Sequence, residues 1–456
     1  MTIVGIAKGA VDKAVSLGAS QAMATVVSSN SALTRFTLNA IHQNIAQKKY
    51  VLNFEVVVDK NKIGSSVVNS LEEKAVADSV ERALKIARIS SSDPDFHSYA
   101  EPKKIVPLPE IYNKRTASVT PEERVEGVQT LIETALDHDK RVTWSTGAYT
   151  TESVSLAIAN SLGVEAEAAY TRGSVDVVTK AGDDAVQGSG YRSMRSHDVG
   201  TFDFEGMAKA AAEDAVNAIK PELIPIGDYE AIFTPTSVGT FTGFMGRLGF
   251  SARAYQDGYS CLMDKIGSQV FDEKLTVLDK GRSLETYNAM PFDGDGLPKG
   301  SYALVEGGVP MNLCYDTYTA HKDKTESTGH ALPNTGRGYF SGFPMPTNMV
   351  MEPGDASIDE MIADTKRGVY ITRLHYVNPI RRDKAVISGL TRDACWLIEK
   401  GEIKHPIKVM RFTDSVLRVM SAIDAIGDKS TVSMLSGSTL PAVKVAGFRF
   451  TGQSEF

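Results

Sequence analysis

The sequence predicts an α+β protein: a first half that repeats one helix–strand–helix unit, and a β-rich second half with mixed or antiparallel sheets. Three observations carry that expectation. Helical and two-residue periodicities alternate in blocks through the first half. Pro221, Pro225 and Gly227 then punctuate the chain. Beyond them, one helical stretch stands among many short strand signals and glycine turns. At 456 residues the chain exceeds the roughly 250–300 residues at which a single core stops growing. The expected division is residues 1–222 and 223–456, the first with passes at about 1–100 and 118–222.

In the first pass, Val4 to Leu17 reads as a short amphipathic helix. Strand-like segments follow at Ala22–Ser28, Leu33–Leu38, Tyr50–Val58 and Lys62–Val67, and Leu71–Ile89 is again helical. Pro102, Pro107 and Pro109 mark an extended crossing. The second pass opens at Thr120, an N-cap before Pro121, with Glu123 as its acidic partner three residues on, and runs to about Leu136. Strand signals recur at Val142–Thr150, Val154–Ala159, Val164–Ala169 and Ser174–Val178, and the Ala-rich Phe204–Ile219 closes the pass as a helix. In the second half, Val238 to Phe250 is helical. Ala394–Ile398 with Glu402–Val409 reads as a hairpin, Val416–Ile426 as a helix and Ala442–Phe450 as a last strand.

The net charge of −7 argues against a nucleic-acid binder, which would carry excess Lys and Arg. Lys400, Lys404, His405 and Lys408 form the best basic cluster, and a solvated hairpin explains them. Three distant cysteines, Cys261, Cys314 and Cys395, offer neither a disulfide framework nor a thiolate zinc site. No apolar run nears the ~18 residues that span a bilayer, and the N-terminus lacks the pattern of a secretion signal. A cytoplasmic protein without membrane contact is expected.

The histidines begin neither HExxH nor HExxxH, so no helix presents two imidazoles and a general-base Glu to a zinc ion. His321 and His330 are the closest pair, in a Gly/Thr-rich loop with no standard ligand logic. Neither GxSxG nor a phosphate-cradling glycine loop is present. Asp293-Gly294-Asp295-Gly296 resembles the opening of a calcium loop but lacks its closing ligands, and a turn accounts for it better. Cys314 reads as a buried thiol in a strand rather than a nucleophile beside His321 or His330.

The second half carries a run of motifs in a recognisable order. Gly227-Asp228-Tyr229 precedes the strand Glu230–Thr234; Asp257-Gly258-Tyr259-Ser260 is followed by Lys265-Ile266-Gly267; then comes Ser327-Thr328-Gly329-His330-Ala331. Thr347-Asn348, Glu352-Pro353-Gly354-Asp355, Arg367–Ile371, Ile398–Ile403 with His405-Pro406, and Gly427-Asp428 complete the series. This order resembles the TldD/PmbA family, historically labelled modulators of DNA gyrase and regarded as peptidases. TldD-type members of that family carry HExxxH on the helix after the Gly-Asp-Tyr strand, and a cysteine near the C-terminus as a further zinc ligand. Counting back from Ser260 without gaps places Gly243-Phe244 at the His-Glu pair and Leu248 at the second His. The stretch Met434–Ser438 has no cysteine.

The resemblance therefore implies a PmbA (TldE)-like subunit with no catalytic residues and no metal of its own, zinc being expected in a partner. The implied partner is a TldD-type HExxxH subunit, in a heterodimer or a larger assembly, with a homodimer an alternative when it is absent. The implied substrate is an unfolded or flexible peptide, captured by strand addition. Thr328, Gly329, His330 and Asn348 are the substrate-binding expectation. Two other readings stay open: an independent hydrolase using Cys314, His321 or His330, and a regulator binding gyrase or another protein.

Overall fold

The computed structural model describes residues 2–183, 186–334 and 343–453. Both passes of the first half are present as α-β-β-β-α units. The first comprises α1 (Ile3–Ser16), β1 (Gln21–Thr37), β2 (Ala40–Val58), β3 (Lys62–Val68) and α2 (Glu73–Ile89). After the prolines and a short α3 (Lys114–Ser118), the second comprises α4 (Pro121–His138), β4 (Val142–Asn160), β5 (Glu165–Ala181), β6 (Gly188–Ser196) and α5 (Phe204–Asn217). Thr120 caps α4 in a capping box with Glu123, as its spacing predicts. The six strands form one sheet in the order β3-β2-β1-β4-β5-β6, so β1 and β4 pair antiparallel and join the two units at their inner strands.

Each helix pair covers its own half of one sheet face. Ala7, Ala10 and Ala14 of α1 and Ala83 and Ala87 of α2 pack on Val26, Phe54 and Val56. Leu131 of α4 and the alanines of α5 pack on Val175 and Val177. The opposite face packs on the second half, where Leu156, Ile158 and Ala166 meet Phe292 and Leu297.

Three long strands, β1, β4 and β5, were each expected as a pair of short ones, and β2, expected only over Tyr50–Val58, begins at Ala40. β1 and β5 have 17 residues each, β2 and β4 19 each. Ser29-Asn30-Ser31 looks like a turn by residue type. In the sheet, β1 is bonded on both sides, by β2 and β4, so its backbone has partners throughout and the polar side chains stand out of the pleat. Strand β6 has no counterpart in the sequence reading. Its residues, GSGYRSMRS, show no apolar alternation. Gly188 and Gly190 let α5 approach so closely that a Cβ at either would lie 2.0 Å from a helix carbonyl, of Ala215 and Ala211 respectively.

In the second half, β7 (Gly227–Phe233) leads into α6 (Pro235–Met245), a π turn at Gly246–Phe250, and the short α7 (Ala252–Gln256). Then come β8 (Val277–Lys280), β9 (Ser301–Glu306), β10 (Val309–Pro310), α8 (Thr317–Asp323), β11 (Met349–Met351) and α9 (Ile358–Ala363). The chain continues through β12 (Arg367–Arg381), β13 (Val386–Glu399), β14 (Glu402–Pro406), β15 (Met410–Ser415), α10 (Val416–Met420), β16 (Ile423–Val432) and β17 (Thr439–Gln453). These strands form one mixed sheet. β7 pairs parallel with β12 and antiparallel with β17, so β17, β15, β13, β12 and β7 close a ring. Phe233, Phe241, Phe412, Phe448 and Phe450 fill its core, with the Phe233 and Phe241 rings 4.9 Å apart, edge to face.

Three expectations for this half are corrected. The helix expected over Val416–Ile426 stops at Met420, and Ile423 begins β16, whose pairing with β17 satisfies its backbone and overrides a weak helical pattern. His321 lies on α8 rather than in a loop; the Asp316 side chain caps that helix. Cys314 is buried, but it makes only an isolated bridge with Ser251 and is not in a strand. The Asp293–Gly296 stretch is a turn, with Asp293 Oδ1 accepting from the amides of Asp295 and Leu297.

Candidate functional site

The helix that follows β7 forms one side of a groove of about 410 Å³. Pro235 at the first helical position pre-sets its backbone, and the Thr234 hydroxyl donates to the Thr372 carbonyl at 2.6 Å, tying the helix start to β12. Gly239, Thr240, Gly243, Phe244 and Arg247 line this side. Leu435 and Ser436, from the loop between β16 and β17, close one end, and residues of β12 and the Met345–Met349 segment form the other walls. Two glycines one turn apart play different parts. A Cβ on Gly239 would fall 1.9 Å from Ser433 Oγ, so the β16–β17 loop can lie against the helix only because that residue is glycine. A Cβ on Gly243 would meet nothing within 4 Å.

Of the positions implied for the zinc motif, Gly243 and Phe244 face the groove, whereas Leu248 is buried in the core. None offers a donor atom to a metal. The Ser436 hydroxyl accepts from the Ser438 amide, and His375 is the one imidazole in the lining. Among the described residues no three His, Cys, Asp or Glu side chains converge as a ligand set. The residues of this groove do not fit zinc, and no hydrolytic step follows from them.

Thr328, Gly329, His330 and Asn348 lie behind the groove wall, in a buried polar network centred on Asp279. Asp279 Oδ2 accepts from the amides of Thr347 and Asn348, both at 2.8 Å. Asp279 Oδ1 has no hydrogen-bond partner and lies 3.8 Å from His330 Nε2. Burial pushes the His330 imidazole down to about 4, so it is neutral at pH 7 despite that carboxylate. His330 Nδ1 is 2.8 Å from Thr328 Oγ1, which accepts from the Tyr315 amide. Asn348 is fully buried: Nδ2 donates to Thr286 Oγ1 at 2.7 Å, and Oδ1 accepts from Lys299 Nζ and the Thr347 hydroxyl, both at 2.8 Å. Gly329 has φ +74°, and a side chain there would press on the Pro298 carbonyl. These side chains hold the wall in place; Thr347, their neighbour, is the one exposed to the groove.

The nucleophile reading of Cys314 finds no support in its surroundings. The thiol is fully buried, and burial, with the Asp279 charge added, raises it well above the usual range. A thiolate nucleophile needs the opposite. His321 faces His97, ring centroids 5.6 Å apart, on α8.

Sequence reasoning missed the residue that joins the groove walls. Asn288 Nδ2 donates to the carbonyls of Thr347 and Ser436, and its Oδ1 accepts from Arg172 Nη2. Beside it, the Tyr287 ring is flanked by the guanidiniums of Arg172 at 5.3 Å and Arg195 at 5.1 Å. Thr286-Tyr287-Asn288 matches no motif, and Arg172 belongs to the other half of the chain, so nothing in the sequence links them.

This geometry is that of a known protein class. Residues 226–452 match the PmbA/TldA metallopeptidase C-terminal domain, and residues 114–219 the corresponding central domain. The chain belongs to the PmbA/TldD family. It is 27% identical over 291 residues to a metalloprotease of Methanothermobacter thermautotrophicus, a match spanning 62% of each chain and so less than two thirds of that relative. It is 24% identical over 401 residues to metalloprotease PmbA of Escherichia coli O157:H7, covering 86% of this chain and 84% of that one. The crystal structure of TldE from Thermococcus kodakarensis has the same fold, with a TM-score of 0.89 at 20% identity over 98% of this chain and all of that one.

Proposed function

We propose that this chain is the metal-free, PmbA/TldE-like companion of a TldD-type zinc metallopeptidase subunit, and that the pair processes unfolded or flexible peptides in the cytoplasm. One observation carries the reading. The positions implied for the catalytic helix and the C-terminal ligand loop meet around a groove, yet present glycine, phenylalanine and serine to it. A site of that shape can hold a chain but cannot activate water. Thr328, Gly329, His330 and Asn348 serve substrate capture from behind, by holding the Met345–Met349 wall in register. The chain divides near residue 222, the second half being the peptide-handling part.

The test mixes the purified chain with an HExxxH-bearing TldD-type subunit. Co-elution as one species, with cleavage of an unfolded protein only in the mixture and its loss on zinc chelation, is the expected outcome. Cleavage by this chain alone, resistant to chelation, would overturn the proposal and return attention to an independent hydrolase. Failure to co-elute, with the TldD-type subunit fully active by itself, would also overturn it.

A further inference from the structure

We propose that the cavity between the two halves, where β5 and β6 meet β13, binds a phosphate monoester, with the dianion among Lys180, Arg392 and Lys408 and the ester group on an apolar wall beside them. This goes beyond the companion role, and the cavity shares no lining residue with the groove beside α6.

Three pieces of the chain enclose about 410 Å³ there. Lys180 and Ser189 come from β5 and β6, and Ala218 and Pro221 from the segment that joins the halves. Arg392 and Asp393 come from β13, and Lys408 from the stretch between β14 and β15. Lys180 stands opposite Ser189 in the sheet, so the two side chains share a face. The Ser189 hydroxyl donates to Asp393 Oδ1 at 2.8 Å, which brings that face, and Lys180 with it, up against β13.

The charges around this cavity do not balance. Among the described residues Asp393 is the one carboxylate of the lining, and Arg373 Nη2 already lies 2.6 Å from its Oδ2. Lys180, Arg392 and Lys408 form no ion pair with a described residue. Three positive charges thus face one cavity unmatched, in a chain of net charge −7. Arg392 and Lys408 are exposed, and water screens them. Lys180 is half-buried. Burial pushes its ammonium down from the ordinary range, Asp393 pulls it back, and Arg392 pushes it down again. An anion set among the three cations is the complementary occupant. A phosphate monoester carries close to two negative charges and three strong acceptor oxygens at neutral pH, so it can meet cations arriving from three elements; a carboxylate brings one charge. Ala218, Pro221, Pro406, Ile407 and Val409 supply the apolar wall. Inorganic phosphate would leave that wall bare, and the volume, near the small end of ligand sites, has room for a compact ester group.

The experiment titrates phenyl phosphate into the full chain by calorimetry, at neutral pH in a phosphate-free buffer. Phenyl phosphate is expected to bind at least about tenfold tighter than benzoate, which has the ring and one charge, and than inorganic phosphate, which has the charge and no ring. Lys180→Met and Arg392→Gln are each expected to weaken it about tenfold, the loss of one charge-assisted contact. Lys404→Gln removes an equal charge outside the cavity, where Lys404 pairs with Glu402, and should leave binding unchanged. Without ligand, Lys180→Met should melt no lower than wild type, because it removes an unmatched, half-buried charge. No binding of phenyl phosphate at millimolar concentration overturns the inference, as does benzoate or inorganic phosphate binding equally well. Weakening by Lys404→Gln as large as by Lys180→Met would show a general charge effect and overturn the site. A lower melting temperature of Lys180→Met would show that the lysine already has a partner, with the same consequence.

Discussion

The Asp279 wall and the α6 side border the same groove and are built on opposite plans. Behind the wall, Asp279 Oδ2 and both ends of the Asn348 amide are hydrogen-bonded, while Asp279 Oδ1 and His330 Nε2 face each other at 3.8 Å without a bond. Along the helix, glycines replace side chains, and the single polar group on the floor, the Thr240 hydroxyl, has no partner. One side is fixed by hydrogen bonds to the backbone, and the other is left open by glycine.

Breaking the wall gives the largest expected effect. Asp279→Ala leaves the Thr347 and Asn348 amides buried without an acceptor and is expected to cost about 3 kcal/mol, read as a lower denaturation midpoint with an unchanged slope. Gly239→Val pushes Ser433 away from α6 and should cost about 2–3 kcal/mol by overpacking. Faster amide exchange in residues 433–438 would place the damage in the loop. Asn288→Ala unties the two walls at about 1–2 kcal/mol, and exchange should quicken in both 345–349 and 433–438; protection changing in one alone would contradict its linking role.

Asp316 offers a smaller test, on charge rather than packing. Burial, with Asp295 adding, raises its carboxyl to about 6. The folded protein therefore holds a proton that the unfolded chain has released, and stability falls as pH rises from about 4 to about 6. Asp316→Asn keeps a capping oxygen for α8 and should flatten that fall, leaving the variant about 1 kcal/mol more stable than wild type at pH 7.5 and not at pH 4. A parallel offset at both pH values would refute the assignment. The smallest effect belongs to Gly243→Ala. Open space surrounds the position, so the gain in helix propensity should stabilise by up to about 1 kcal/mol. Gly239 and Gly243 thus predict opposite signs one helical turn apart.

Much of this was legible in the residues and some could not be. The Thr120–Glu123 capping box and both amphipathic helix pairs followed from spacing alone, because helix signals are local. The strands were read as fragments because turn-like residues such as Ser29 and Asn30 are harmless once both neighbouring strands supply bonds, and one of those neighbours, β4, lies far away in sequence. Strand β6 was missed because its residues show no apolar alternation, and the end of α10 because pairing of β16 with β17 overrides a weak helical pattern. For the groove, Gly243 and Phe244 could be placed by counting from Ser260. The burial of His330 and Asn348 could not, since Ser327–Ala331 and Thr347–Asn348 look like surface loops until Asp279 draws them inward. Thr240 and Asn288 carry no pattern; only the folded chain makes the first unpartnered and the second a tie.

The ring that closes the second half has a consequence for how the protein is made. Strand β17 pairs with β7, β11, β15 and β16, and its partner β7 begins at Gly227 while β17 ends at Gln453. Contacts so distant in sequence form late and slowly. On a ribosome, β7 through β16 emerge before the strand that completes their hydrogen bonding, and they wait with open edges until it arrives. The first half has no such dependence, its antiparallel neighbours β1–β2–β3 and β4–β5–β6 being consecutive. Nascent chains halted before residue 439 should therefore carry a protease-resistant six-stranded sheet followed by a protease-sensitive remainder, and that remainder is where a chaperone would be found.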